Sequence, residues 1–144
     1  MAKPSDFTFF HPLRVRWAEC DAQGIVFNVN YFLYFDVCMT EYFRARGFAG
    51  EGMLDFFTAH AEADYRAPAH FDEELRIGGR CARLGRTSLT MEMIVLRDET
   101  VLTEGHMVYV CADPEMRAAK ELPRHLVDAL TAFEKVSPQV KALA

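Results

Sequence analysis

Asp21 has the strongest claim to chemistry in this 144-residue chain. It stands within WAECDAQGIVFNVNYFLYFDV, residues 17–37, ahead of a turn glycine, Gly24, and an almost unbroken aromatic run. A carboxylate here has two uses. It can close a turn, because Asp bonds its own backbone and Gly accepts positive φ. It can also hold a charge at the mouth of an apolar pocket, as a nucleophile or as the group that aligns a water. An aspartate with an ordinary pKa of about 3.9 is a poor base at neutral pH, so the second use depends on placement.

Other reactive side chains offer less. Cys20 adjoins Asp21, but no histidine lies nearby in sequence to activate it, and it reads as a small hydrophobe. His60, His70 and His106 show no spacing that suggests a relay. Glu19 and Asp36 read as structural charges, one at an exposed strand end and one on a helix face. Cys20, Cys38, Cys81 and Cys111 form no C-x-x-C pair and have no histidine at ligand spacing, so no metal site is expected. Reduced thiols and the lack of a signal-like N-terminus point to a cytoplasmic protein.

The elements that must position Asp21 follow from hydrophobic periodicity. Residues 7–17 read as a strand, with Leu13, Val15 and Trp17 on one face and Arg14 and Arg16 on the other. Over residues 30–46 the polar Asp36, Thr40 and Arg44 recur every fourth position, and aromatic side chains cover the rest of a largely enclosed helix. Asn28 or Asn30 is placed to cap its start, and Gly47 suits the position past its end. Residues 57–66 alternate strictly. Their small face of Ala59, Ala61 and Ala63 offers room for the helix to lie close.

Strands over 75–84, 87–96 and 101–111 are joined by short turns, which forces an antiparallel meander. Pro123 then opens a helix with Leu126, Ala129, Leu130 and Phe133 in one stripe. Residues 1–144 read as a single domain, since this length suits one core. One sheet buries a helix on only one side, so self-association is expected to cover the remainder. A net charge of −5 argues against nucleic-acid binding, and no apolar window is long enough for a membrane span.

The segment ECDAQGIVFNVNYFLYFD resembles the active-site signature of hotdog-fold acyl-CoA thioesterases of the 4-hydroxybenzoyl-CoA thioesterase type. ADYRAPAHFDEELRI is similar to that family's second strand and following turn, and GRTSLTMEMIV with EGHMVYVCAD to its central hairpin. The resemblance spans residues 13–130. It implies an α+β hotdog fold, a five-stranded antiparallel sheet wrapped around one long central helix, to which the sequence adds a C-terminal helix. It further implies a homodimer with a sheet continuous across the interface, or a homotetramer, with acyl-CoA bound between subunits.

The activity so implied is hydrolysis of an acyl- or aroyl-CoA thioester, with CoA entering only as part of the substrate and no cofactor. Asp21 would act as nucleophile or general base, and the backbone N–H of Asn28 would hold the carbonyl oxygen. Amides at a helix N-terminus suit that task, because they are already aimed where charge develops. Gly24 gives room or a positive φ, and Tyr31 orients the start of the helix. Arg86, Thr87 and Ser88 occupy the hairpin that the family places near the phosphate end of CoA. Many relatives have Asp in place of Glu19, and some have histidine in place of Asn28, which removes a helix-start histidine from this chain's chemistry.

Two other functions fit the same fold. A hotdog dehydratase or hydratase needs a proton-shuttling histidine, which residues 21–47 lack. A non-catalytic acyl-CoA or acyl-carrier binding protein is the other, though an acidic chain is a poor match for an acidic carrier.

Overall fold

Strand β1 (Phe9–Arg14) opens the sheet in the computed structural model, which describes residues 2–115 and 118–140. Helix α1 (Asn30–Ala45) follows, then β2 (Phe56–Tyr65), β3 (Glu74–Leu84), β4 (Ser88–Arg97) and β5 (Thr100–Asp113). The long strands lie in the order β1-β3-β4-β5-β2, each pair antiparallel, which is the expected hotdog meander around a central helix. Two short strands extend it. β6 (Ala118–Ala119) pairs with β5, and after α2 (Arg124–Phe133) β7 (Gln139–Val140) runs parallel to the end of β3. No helix among the described residues is long and apolar enough to cross a membrane.

The aromatic helix is enclosed as its periodicity predicts. Tyr34, Phe35, Tyr42 and Phe43 are fully buried, whereas Val29 and Leu33 remain about half exposed. Each buried tyrosine of α1 finds a polar partner for its hydroxyl, as buried phenols must. Tyr31 accepts from the Ala69 N–H, Tyr34 donates to Glu19, and Tyr42 donates to Glu134. Tyr109 on β5 donates to Asp36, so the helix-face acid is a packing partner of the sheet.

Three expectations need correction. The first strand is shorter than residues 7–17. Val15 still pairs with the Asp72–Glu73 backbone, but Glu19 then accepts the Arg16 N–H and winds the chain into a 3-10 turn, Trp17–Glu19. Trp17 is therefore 81% exposed instead of sharing the inward face of Val15. Secondly, no asparagine side chain caps α1. Val29 is the N-cap with no side-chain bond, and the Asn30 side-chain amide reaches back to the Glu19 carbonyl.

Thirdly, β2 does not present a buried alanine face to the helix. It is an edge strand, with Ala59 and Ala61 exposed and Ala63 only half-buried. The close approach is made by glycines on the neighbouring strands. A Cβ on Gly79 would lie 2.9 Å from Cys38 Sγ, and one on Gly105 would lie 2.7 Å from the Phe35 ring. Space for α1 thus comes from missing side chains on β3 and β5, while β2 meets the helix through Phe56 against Phe43 and Tyr65 against Tyr31.

Candidate active site

The Asp21 turn is a small ribbon folded onto the start of α1. Cys20 and Val26 form an antiparallel bridge, the Asp21 N–H donates to the Ile25 carbonyl at 2.9 Å, and the Gly24 N–H returns to the Asp21 carbonyl at 3.0 Å. Gly24 has φ +77°, where a side chain would be strained. One carboxylate oxygen of Asp21 accepts the Gln23 N–H at 2.8 Å. The turn-closing use of Asp21 is therefore real, and it occupies Oδ1 alone among the described contacts. The residue is exposed in a hollow of about 350 Å³ lined by Trp17, Cys20, Ala22, Gly24 and Phe71.

Glu19 ties this ribbon to the helix. Its carbonyl accepts the Phe27 N–H at 2.9 Å and the Asn30 side-chain amide at 2.8 Å. Its carboxylate accepts the Arg16 N–H, the Arg16 guanidinium and, at 2.9 Å, the Tyr34 hydroxyl. Glu19 is buried, not an exposed strand-end charge, because its partners close over it. Burial pushes its carboxyl up, but the bonds from Arg16 and Tyr34 outweigh that and hold it below the ordinary carboxylate range. Burial and the negative charges of Glu19 and Asp21 push the Cys20 thiol up, which opposes a thiolate role.

Asn28 and Tyr31 line a second hollow, of about 400 Å³, with Ile25, Val26, Tyr65 and Arg66. Consecutive residues line the two hollows: Gly24 that of Asp21, Ile25 and Val26 that of Asn28. Among the described residues the N–H groups of Asn28 and Val29 donate to no protein acceptor, whereas those of Asn30, Tyr31 and Phe32 bond to Phe27, Asn28 and Val29. The open donors sit at the helix tip, as a carbonyl-oxygen site requires.

Arg86, Thr87 and Ser88 are not brought to these hollows within one protomer. They follow the far end of β3, whose ten steps from Glu74 to Leu84 span roughly 33 Å, while Phe71 and Asp72 precede its near end. Arg86 is exposed, with Nη1 3.4 Å from Glu121. Tyr65 joins the site from a distance in sequence, its hydroxyl donating to the Asn28 carbonyl at 2.8 Å. Its position at the end of an alternating strand carried no signal of a contact 37 residues away. His60 and His106 flank Glu62 on the sheet, and His70 faces Glu73, so none points to a relay with Asp21. Among the described residues no cluster of three or more His, Cys, Asp or Glu side chains is arranged to hold a metal ion.

Residues 23–104, more than half of the chain, match the thioesterase superfamily. That span begins two residues after Asp21 and includes Gly24, Asn28, Tyr31 and Arg86 to Ser88. The acyl-CoA thioester hydrolase YbgC of Escherichia coli O6:H1 is 29% identical over 124 residues, covering 83% of this chain and 92% of the relative. A thioesterase from Thermus thermophilus, solved in complex with coenzyme A and Zn, superposes with a TM-score of 0.79 at 26% identity over 90% of this chain and 96% of that one. A probable thioesterase from Bartonella henselae gives a TM-score of 0.75 at 26% identity over 80% and 98%.

Proposed function

The chain is an enzyme of the thioesterase superfamily, and from that premise we propose that it hydrolyses acyl- or aroyl-CoA thioesters to the free acid and CoA, with Asp21 as the reacting carboxylate. The observation that carries this is the double hydrogen bond on the Glu19 carbonyl, which fastens the acid-bearing turn to the helix tip with its open amides. Asp21 Oδ2, or a water it aligns, attacks the thioester carbon. The carbonyl oxygen gains negative charge and is held by the Asn28 N–H; the C–S bond then breaks and CoA leaves as the thiol after taking up a proton. If Asp21 attacks directly, water cleaves the resulting anhydride and regenerates the carboxylate. One well-aimed amide donor is worth roughly a hundredfold to a thousandfold in rate.

The hollows at Asp21 and Asn28 are open to solvent on one protomer, so a second copy of the chain is assigned to complete the site. β2 supplies the means, as an edge strand with exposed Phe57 and Tyr65 and unpaired backbone groups. The working form is a homodimer or homotetramer, in which Arg86, Thr87 and Ser88 of one protomer serve the CoA bound at another. A monomer in sedimentation at assay concentration contradicts that assembly. Water, a carboxylate and amide donors suffice for this hydrolysis, so no cofactor is assigned. The unpaired cysteines suit a cytoplasmic setting.

The test of substrate class is thiol release from a panel of acyl- and aroyl-CoAs, read together with absorbance of the acyl part. Free thiol appearing with at least one member supports hydrolysis. An enoyl chromophore changing without thiol release, or tight binding with no turnover, replaces it with a dehydratase or a binding protein.

A further inference from the structure

We infer that Tyr65 is a positioning residue for the helix-tip amides that receive the thioester oxygen, acting through the Asn28 peptide; the inference rests on the hydrolase assignment above. Tyr65 ends β2 and lines the same hollow as Asn28. Its hydroxyl donates to the Asn28 carbonyl at 2.8 Å, while the helix's own closure of that carbonyl, from the Tyr31 N–H, is long at 3.4 Å. No side chain caps α1, so the phenol is the stronger constraint on the first turn.

The phenol is itself held in place. Its ring packs against Tyr31 with centroids 5.4 Å apart, and Tyr31 is buried and bonded through its hydroxyl to the Ala69 N–H at 3.1 Å. Two consequences follow for the open donors. Fixing the Asn28 carbonyl fixes the peptide plane shared with the Val29 N–H, and with it the residue that carries the Asn28 N–H. A carbonyl that accepts a strong hydrogen bond also polarises the N–H of the same peptide, so the Val29 N–H becomes a better donor. Burial pushes the Tyr65 phenol up, which keeps it a neutral donor through the neutral range.

Tyr65→Phe removes one oxygen and keeps the ring. With the best thioester of the panel, kcat is expected to fall about tenfold with KM within twofold, because donors that matter as charge develops affect the transition state more than the bound substrate. Replacing Tyr65 by 3-fluorotyrosine, which still donates, is expected to keep kcat within threefold of wild type. Backbone amide exchange over residues 28–32 should quicken at least fivefold in Tyr65→Phe and stay at the wild-type rate in the fluorotyrosine protein. A Tyr65→Phe enzyme with kcat within twofold of wild type, or with only KM raised, overturns the inference while leaving the hydrolase assignment standing. Absence of thiol release by the wild type overturns the hydrolase assignment and the catalytic part of the inference. In that case unchanged amide exchange overturns the positioning part too, and quickened exchange supports it.

Discussion

The carboxylates of Glu19 and Asp21 are two residues apart and live in opposite surroundings. Glu19 is buried with both oxygens in hydrogen bonds, whereas Asp21 is exposed with one oxygen closing a turn. The first holds and the second is open to react. Because hydrogen bonding keeps the Glu19 carboxyl below its unfolded value of about 4.3, the ionised form stabilises the fold. That contribution is complete above the unfolded value and is lost as pH falls through the lower folded value. Glu19→Gln should therefore be about 1–2 kcal/mol less stable than wild type at pH 7, a figure kept modest because Arg16 is itself exposed. Urea unfolding at pH 7 and pH 3 checks this: the gap between the two proteins narrows in acid, and a gap independent of pH contradicts it.

At the scale of elements, the C-terminal helix is fastened by one buried acid. Glu134 at the end of α2 accepts the Tyr42 hydroxyl from α1 and the Cys81 N–H from β3 at 2.8 Å. Burial raises its carboxyl despite those bonds and the nearby Arg80 and Arg46. A raised carboxyl has the opposite sign: its stability contribution is full below the ordinary value and is lost as pH rises through the higher folded value. Glu134→Ala leaves two buried donors without an acceptor and is expected to cost about 3 kcal/mol in urea unfolding at pH 7. Glu134→Gln keeps an acceptor and sheds the buried charge, so its loss should stay below about 1 kcal/mol. Equal losses would mean that the acid does not latch the helix.

Across the molecule, what could be read in advance was whatever local periodicity encodes. The aromatic run of α1 repeats its polar residues every four positions, and the helix stands where that pattern places it; the strands β3, β4 and β5 are joined by turns too short for any other order. Contacts between distant residues left no such trace. An alternating strand reads the same at an edge as in the middle, so the alanines of β2 carry no mark of exposure, and the close approach to the helix falls to Gly79 and Gly105. Glu19 gave no sign of burial, since one partner lies three residues before it and another fifteen after. Asp21, Gly24 and Asn28 stood out because turn chemistry and a helix start are local, and the Tyr65 bond to Asn28 was invisible because it is not.

Asp21 is the carboxylate proposed to do the chemistry at a thioester carbon. That role is tested by kcat/KM for thiol release with purified wild type, Asp21→Asn and, as a control at the neighbouring thiol, Cys20→Ser. Asn keeps an acceptor for the Gln23 N–H, so the turn survives while the charge is removed. The expected result is a loss of at least about a hundredfold for Asp21→Asn, roughly 2.7 kcal/mol, with Cys20→Ser within threefold of wild type. An Asp21→Asn enzyme within tenfold of wild type would contradict a chemical role for this carboxylate.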